Sequence, residues 1–234
     1  MMKYHGWVSP SNKWQIEEQM EQLIQADTMR RDLIANISHD LRTPLATLQG
    51  YIETMLLKKN KLSENEQGLY LKVAINHCEH LNQLVNRLLE LAKLESYEIQ
   101  VTQEPFNLSE LVHDVLQKFE LKAEEKKIKL IPDFKAQLPF VTADIGLIER
   151  VFDNLIENAL RFTPDNGNIT ISMSSGGNEI KVCISDSGCG IPKEALPSIF
   201  DRFFQLDKSR EIKTGHPGLG LAITKKILEL HQSN

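Results

Sequence analysis

The feature that most constrains the fold is a long, narrow stripe of apolar residues near the start of the chain. Apolar side chains recur at steps of four and three residues from Ile16 to Leu41, with an interruption at Asp27 and Arg30 where pairing should be weaker, and the stripe continues at Leu48 and Tyr51. This spacing places them along one side of an α-helix, where they can pair with another helix. The first helix is therefore predicted to need a helical partner.

A second long helix is predicted after a break near residues 58–61. Ser63 and Glu66 have the spacing of a capping box, and apolar residues then recur at helical intervals to Leu94. Two long helices with a short connection form an antiparallel hairpin. Because one hairpin buries little apolar surface, we predict that two copies of the chain form a homodimeric four-helix bundle.

The octapeptide ISHDLRTP, residues 37–44, lies within the first predicted helix. A proline in a helix interior removes a backbone donor and clashes with the preceding turn, so Pro44 predicts a bend just after His39. With Asp40 beside the imidazole and Thr43 one turn later, the segment could present a nucleophile to a partner. A surface histidine on a kinked helix is the other interpretation that these residues allow.

The pattern of the chain changes after residue 107. Residues 98–107 contain Pro105 and lose the helical period, which indicates a linker. Helices are then predicted near 108–126, 144–161 and 218–231, and strands near 129–134, 140–142, 168–174 and 179–185. We therefore predict an α+β domain, with helices on one face of a mixed or antiparallel sheet.

Polar residues on one predicted helix of this domain have the chemistry of a nucleotide site. Asn154 and Asn158 are four residues apart and share one helix face, where amide oxygens can serve as neutral ligands for a magnesium ion. Arg161 lies further along and has a guanidinium group suited to phosphate. The outer face of an ordinary amphipathic helix could show the same spacing.

Two glycine-containing segments follow. Asp186 ends a predicted strand, where it could accept from an exocyclic amine such as that of adenine, and Gly188 and Gly190 leave room for a ligand. The segment Gly215–Leu221 leads into the last predicted helix, whose open N–H groups suit phosphate. Ordinary glycine turns are the alternative for both segments.

Three phenylalanines and the polar run 205–214 lie between these two segments, a pattern typical of a hinge with a mobile lid. The order of the motifs, from the histidine octapeptide through the paired asparagines to the last glycines, resembles the sensor histidine kinases of two-component signalling. The resemblance extends over about residues 29–231. Single motifs of this kind are weak signals, but five of them occur here in order and at fitting distances.

The resemblance implies the domain order and the reaction. The implied segments are an N-terminal signalling helix or linker, a dimerisation and phosphotransfer hairpin, a linker, and a C-terminally truncated ATP-binding domain of the GHKL (Bergerat) type, over 1–28, 29–97, 98–107 and 108–234 respectively. His39 would be phosphorylated by ATP with Mg²⁺, Asp40 would fix the imidazole tautomer, and an aspartate of a response regulator would receive the phosphoryl group. Thr43 matches the position that orients a water in members that also act as phosphatases.

The resemblance also implies roles at the nucleotide site. Asn158 would be the magnesium ligand with Asn154 in support, and Asp186 would read adenine. The other implied nucleotide-binding residues are Arg161, Phe162, Gly188, Gly190, Ile191, Phe203, Lys208, Arg210, Gly218, Leu219 and Gly220. Arg161 stands where lysine is commoner and Phe162 where tyrosine is commoner. His216 and Pro217 also depart from the usual Gly-Thr.

Composition limits the remaining possibilities. The chain has 234 residues with 27 basic and 32 acidic side chains, a formal charge of -5 that gives no general attraction to nucleic acid. Three cysteines are too few for a disulfide framework, and no apolar run approaches the ~20 residues that span a bilayer. We expect a cytoplasmic polypeptide.

Family members usually begin with a sensor and continue past the last helix with two further strands. We therefore expect a fragment of a longer receptor in the inner or plasma membrane, attached to the membrane only through a segment missing from this chain. The alternative function is a non-catalytic dimeric ATP-binding scaffold or an inactive fragment. Another ATPase of the same fold, of the chaperone or mismatch-repair type, would lack the histidine-bearing hairpin.

Overall fold

The computed structural model describes residues 20, 28, 35, 37–38, 40–58, 61–96, 99–134, 138–177, 179–206 and 218–233. The chain divides into two compact units, Met1–Leu81 and Asn82–Asn234. None of the helices in these described ranges is long and apolar enough to cross a membrane.

The first unit is helical. Residues 40–57 form helix α1, which stays helical through Pro44, and residues 20, 28, 35, 37 and 38 are also helical. Helix α2 covers Glu64–Glu95 and therefore extends from the first unit into the second. The rings of Tyr51 and Tyr70 pack edge to face with centroids 5.2 Å apart, so the two helices contact each other as a hairpin. The predicted helical hairpin is confirmed.

The predicted capping box begins α2. Ser63 N–H donates to Glu66 Oε2 at 2.8 Å, and Glu66 N–H donates to Ser63 Oγ at 3.3 Å. The Ser63 hydroxyl also donates to Glu66 Oε2, at 2.8 Å. The backbone N–H of Ser63, and then its hydroxyl, hold the pKa of Glu66 below its usual value, because both stabilise the charged carboxylate.

The second unit contains a sheet of three strands and a separate pair of strands. In chain order the strands are β1 (Glu104–Phe106), β2 (Lys129–Asp133), β3 (Val141–Ala143), β4 (Asn168–Gly176) and β5 (Glu179–Asp186). Strand β4 lies in the centre of the larger sheet, parallel to β2 and antiparallel to β5, and β1 pairs antiparallel with β3. The predicted mixed sheet is confirmed.

The second unit contains three long helices. They are α3 (Leu108–Glu125), α4 (Ile145–Phe162) and α5 (Gly220–Leu230), and a short 3-10 helix covers Leu196–Ser198. Helix α4 contacts both α3 and α5. Val112 and Val115 of α3, Ile156 of α4, and Ile169 and Ile171 of β4 are completely buried in one core. The predicted α+β fold is confirmed.

Strand β1 lies within residues 98–107, for which the sequence predicts a linker without regular structure. Phe106 is buried in the core, and this anchors the segment against β3. Pro105 is tolerated because, among the described residues, β1 pairs with β3 on one side only, and edge strands are where proline occurs in sheets. Three residues are too few for an alternating pattern to be recognised in the sequence.

Candidate functional site

Helix α4 positions the polar residues of the candidate site. Asp144 caps its first turn, where Oδ1 accepts from the backbone N–H of Leu147 at 3.0 Å. One side of the helix buries Phe152, Ile156 and Leu160 in the core. These apolar residues fix the rotation of the helix and so determine where its polar side chains point.

A cleft with about 440 Å³ of empty space, open to solvent, runs along the second half of α4. Its lining residues are Arg87, Asn154, Glu157, Asn158, Arg161, Ile199, Phe204, Gly218, Gly220 and Leu221. Five residues predicted from sequence lie together here: both asparagines, the arginine that follows them and the two glycines of the last glycine-rich segment.

Some hydrogen-bond donors of the amides and the guanidinium in the cleft have no acceptor among the described residues. Asn154 is 5% exposed, and its Nδ2 has no hydrogen-bond partner among the described residues. Arg161 donates from Nη2 to Asn158 Oδ1, while its buried Nε likewise has no partner there. The pKa of Arg161 lies below its usual value, mainly because burial removes water and secondarily because Arg87 is close. The cleft therefore holds donors that an anionic ligand could satisfy.

The last two residues of α4 contact each other through their side chains. The guanidinium of Arg161 lies over the ring of Phe162, with 4.5 Å from Cζ to the ring centroid. This cation–π contact holds the arginine against the helix end. The ring of Phe162 is itself 38% exposed.

The last glycine-rich segment approaches the site through Gly218. Its φ is +67°, and a Cβ there would lie 2.9 Å from the carbonyl oxygen of Phe204, so only glycine fits. Phe203 N–H donates to the Gly218 carbonyl at 3.1 Å. Leu219 is fully buried and anchors the start of α5. Gly220 then lies beside Asn154, whose Oδ1 would be 3.5 Å from a Cβ at that position.

The turn after β5 lies against the C-terminal end of α4. Asp186 Oδ1 accepts from the backbone N–H of Gly188 at 2.8 Å. A Cβ on Gly188 would lie 2.7 Å from the carbonyl oxygen of Phe162, so the missing side chain permits this approach. Gly190 has a φ of +69°, and Ile191 is 45% exposed. These four residues do not line the cleft but form a second group, next to the C-terminal end of α4.

Several predicted site residues fall elsewhere. His39, Lys208 and Arg210 lie outside the residues that the structure describes. Asp40 is partly exposed and Thr43 is exposed on α1, in the first compact unit.

The cleft also contains residues that the sequence did not point to. Glu157 lies between the two asparagines in the chain, so the motif itself could have drawn attention to it. Phe204 belongs to the phenylalanine cluster before the predicted lid. Arg87 had no signal, because it lies in a helix that was assigned entirely to the hairpin.

The donor set of the cleft fits a magnesium ion that accompanies phosphate. Asn158 offers at the cleft an amide oxygen that accepts from Arg161 Nη2 through one of its two lone pairs, which leaves the other for an ion. Asn154 offers a second amide one turn earlier. The described residues contain no group of three or more His, Cys, Asp or Glu side chains that could hold a metal ion. An ion held by one amide oxygen keeps most of its waters and depends on phosphate oxygens for the rest, which is how Mg²⁺ binds with nucleotides.

Family models identify the class of protein to which this fold and cleft belong, an ATP-binding domain joined to a helical hairpin. Residues 143–234 match the model described as histidine kinase-, DNA gyrase B- and HSP90-like ATPase. Residues 29–97 match the model of the His Kinase A (phospho-acceptor) domain. The chain belongs to the sensor histidine kinases of two-component signalling.

Curated relatives agree with this membership. The chain is 35% identical over 207 residues to the sensor histidine kinase WalK of Bacillus subtilis, covering 88% of this chain and 34% of that protein. It is 33% identical over 210 residues to a sensor protein kinase WalK of Staphylococcus aureus, covering 88% of this chain and 50% of that protein. The chain thus spans between a third and a half of the length of these relatives.

Solved structures of histidine kinases are similar to this one. The histidine kinase AdeS of Acinetobacter baumannii matches with a TM-score of 0.65 and 29% identity, over 82% of this chain and 86% of that chain. The histidine kinase ThkA, in a complex with the response regulator protein TrrA, matches with a TM-score of 0.67 and 26% identity, over 88% of this chain and 60% of that chain. The predicted helical hairpin followed by a GHKL-type domain is therefore confirmed.

Proposed function

We propose that this chain transfers the γ-phosphoryl group of ATP to His39 and then to an aspartate of a response regulator. One observation carries the proposal. Asn158 and Arg161 meet Gly218 in one cleft, in a chain whose residues 29–97 match the phospho-acceptor model. The cleft supplies donors for a phosphate chain, and the hairpin supplies the acceptor.

The nucleotide would bind along α4. Asn158, with Asn154 behind it, would hold Mg²⁺, which supplies charge neutralisation at the β- and γ-phosphates when bound. Arg161 would donate to phosphate oxygens, and the Asp186 carboxylate would accept from the exocyclic amine of adenine. The turn that carries Asp186 abuts the end of α4 at Phe162, so both groups lie along one helix.

The remaining predicted residues would enclose the nucleotide. The backbone at Gly188, Gly190, Gly218 and Gly220 would permit its close approach, and Ile191, Phe203 and Leu219 would shape the walls. Lys208 and Arg210 would neutralise phosphate charge from the lid.

Phosphoryl transfer requires a neutral imidazole. An imidazole with the usual histidine pKa of about 6.5 is mostly neutral at cytoplasmic pH, as this reaction requires. Asp40 would accept from Nδ1–H, which leaves the Nε2 lone pair free to attack the γ-phosphorus. The bond from Nε2 to phosphorus forms as the bond to the β,γ-bridging oxygen breaks, and ADP leaves with that oxygen.

The partners follow from the same family. The histidine kinase ThkA has been solved in complex with a response regulator protein, and we propose a receiver domain as the partner here. Leu45, Ile52 and Ile75 are 44–56% exposed in the first unit, which favours a homodimer that covers them. We propose that the reaction takes place in the cytoplasm, where ATP is available, and that this chain is the cytosolic part of a membrane receptor.

A second activity is proposed at Thr43, whose exposed position on α1 would let its hydroxyl orient a water toward a phosphorylated regulator. The test is the rate at which purified Thr43→Ala dephosphorylates the regulator. A rate equal to that of the wild type would rule out this role of Thr43.

The deciding experiment is incubation of the purified chain with γ-labelled ATP and magnesium. We expect acid-labile label on the wild type and none on His39→Gln. His77→Gln is the matched control, because it removes another histidine from the hairpin without touching the proposed acceptor. ATP binding without any label would instead favour a non-catalytic scaffold, and label that survives in His39→Gln would assign the acceptor elsewhere.

A further inference from the structure

Arg87 brings a cation into the cleft from outside the predicted ATP-binding domain. It lies on α2, in the part of that helix that belongs to the second compact unit. Its side chain is only 13% exposed, and it lines the cleft together with Asn154, Asn158 and Arg161. A guanidinium group is seldom buried to this extent without a strong partner.

The hydrogen bond from Arg87 to Glu157 uses only one of the guanidinium nitrogens. Arg87 Nη2 donates to Glu157 Oε2 at 2.9 Å, and this is the one ion pair recorded for Arg87 within the described residues. Arg150, which also joins α2 to α4, donates to Glu90 through two nitrogens, at 2.7 and 2.8 Å. The Arg150 pair is a closed bidentate bridge, whereas Arg87 keeps donors for another acceptor.

The charges of the cleft are unbalanced. Its lining contains two guanidinium groups, Arg87 and Arg161, and one carboxylate, Glu157. Repulsion from Arg87 contributes to the lowered pKa of Arg161, so the two cations are close enough to interact. A net positive charge in a partly desolvated cleft is stabilised by a bound anion.

Hydrogen-bond donors without an acceptor in the same cleft indicate which chemical groups the anion should carry. Arg161 Nε and Asn154 Nδ2 are buried without a partner among the described residues. Both atoms can only donate, so the ligand must carry several acceptor oxygens. A phosphate chain has that chemistry.

We propose that Arg87 is a phosphate-binding residue of the nucleotide site, and that on binding it exchanges the Glu157 carboxylate for a phosphoryl oxygen of ATP. This inference rests on the proposed function. The exchange needs only a side-chain movement, because the bidentate Glu90–Arg150 bridge and the Glu95–Arg202 pair keep α2 seated against the same unit. Helix α2 thereby contributes directly to nucleotide affinity.

Glu157 then acts as a competitor of the ligand. While it holds Arg87, binding of phosphate must displace it. Glu157→Gln keeps the size of the side chain but removes its charge, so we expect ATP to bind about two- to five-fold more tightly to this variant. A purely structural ion pair would predict the opposite, since its loss would loosen the wall of the cleft.

The experiment measures binding of ATP, ADP and adenosine to the full chain by titration calorimetry with magnesium present. Arg87→Gln should weaken ATP binding by about ten-fold or more, because a charged hydrogen bond is lost, and should leave adenosine binding within about two-fold. Arg87→Lys should recover part of the loss. Arg150→Gln is the matched control: it breaks an ion pair between the same two helices without lining the cleft, and its ATP affinity should stay near that of the wild type because the Glu95–Arg202 pair still keeps α2 seated.

Three outcomes would overturn the role of Arg87: unchanged ATP affinity in Arg87→Gln, an equal loss for all three ligands, or the same loss in Arg150→Gln. In each of these the wild type still binds ATP, so the proposed function survives. A wild type that binds no adenine nucleotide would overturn the proposed function and the role of Arg87 with it.

Discussion

The backbone N–H of Asp144 donates to Nε2 of His231 at 3.0 Å. His231 Nδ1 lies 2.8 Å from the carbonyl oxygen of Ile227, so Nδ1 carries the proton and Nε2 accepts. Asp144 Oδ2 also accepts from the backbone N–H of Thr102 at 3.1 Å. The start of α4 is thus tied to the end of α5 and to the segment before β1, and α4 and α5 both contribute to the cleft.

Replacing this histidine tests the connection. His231→Phe keeps an aromatic ring but leaves the Asp144 N–H without its acceptor, so we expect a loss of about 1–2 kcal/mol in the free energy of unfolding. Urea denaturation measures it. Ser233→Ala, two residues further along, changes an exposed side chain and should have no effect. Equal stability of His231→Phe and the wild type would show that water replaces the bond without cost.

Substitution by alanine should have opposite effects on stability at Gly218 and at Gly68. Gly218→Ala places a Cβ at a φ of +67° and 2.9 Å from the Phe204 carbonyl oxygen, so it should destabilise the chain by more than about 1 kcal/mol and weaken ATP binding. Gly68 lies in the interior of α2, where a Cβ would have no atom within 4 Å. Gly68→Ala should therefore stabilise the chain by about 0.5–1 kcal/mol. Thermal melting with and without ATP measures both, and a stable, nucleotide-binding Gly218→Ala would contradict the expected close approach.

The cap of α2 should depend on pH. Its hydrogen bonds from Ser63 lower the pKa of Glu66 in the folded chain relative to the unfolded chain. The contribution is therefore fully present above the unfolded pKa of about 4.3, and it is lost as the pH falls through the lower, folded value. The protection factor of the Ser63 amide, which is its intrinsic exchange rate divided by its measured rate at each pH, should fall in that window when it is followed by NMR between pH 6 and pH 3. In Glu66→Gln the amide side chain does not titrate, and the pH dependence of this protection factor should disappear.

How far the sequence predicts the molecule depends on whether a feature is local. Helix α4 was predicted to within a residue at each end, because its apolar period and the Asp144 cap lie within the segment itself. The resemblance implies that Asn154 and Gly220 both belong to the nucleotide site, and the structure places them side by side. No local pattern in this one sequence could have shown it.

The place of Arg87 in the cleft could not be predicted from the sequence. Its partner Glu157 is 70 residues away in the chain, and the contact exists only because α2 continues alongside α4. A single sequence records each charge but not which charges meet. Strand β1 was missed for a related reason, since three residues take their strand conformation from pairing with β3 rather than from their own pattern.

Base recognition by Asp186 can be tested without disturbing its turn. Asp186 Oδ1 accepts from Gly188 N–H, and the amide oxygen of Asp186→Asn can make the same bond. The second carboxylate oxygen then becomes an NH₂ group, which would face the exocyclic amine of adenine donor to donor. We expect ATP affinity to fall by about 10- to 100-fold, since a charged hydrogen bond is replaced by a repulsive contact. Guanine presents a carbonyl oxygen at the corresponding position, so GTP should lose less affinity, and the preference for ATP should shrink or reverse.

Competition of ATP and GTP against a fluorescent nucleotide measures the ratio of the two affinities. Asp165→Asn, in the exposed turn before β4, is the control. An unchanged ratio in a variant that melts at the wild-type temperature would show that Asp186 does not contact the base.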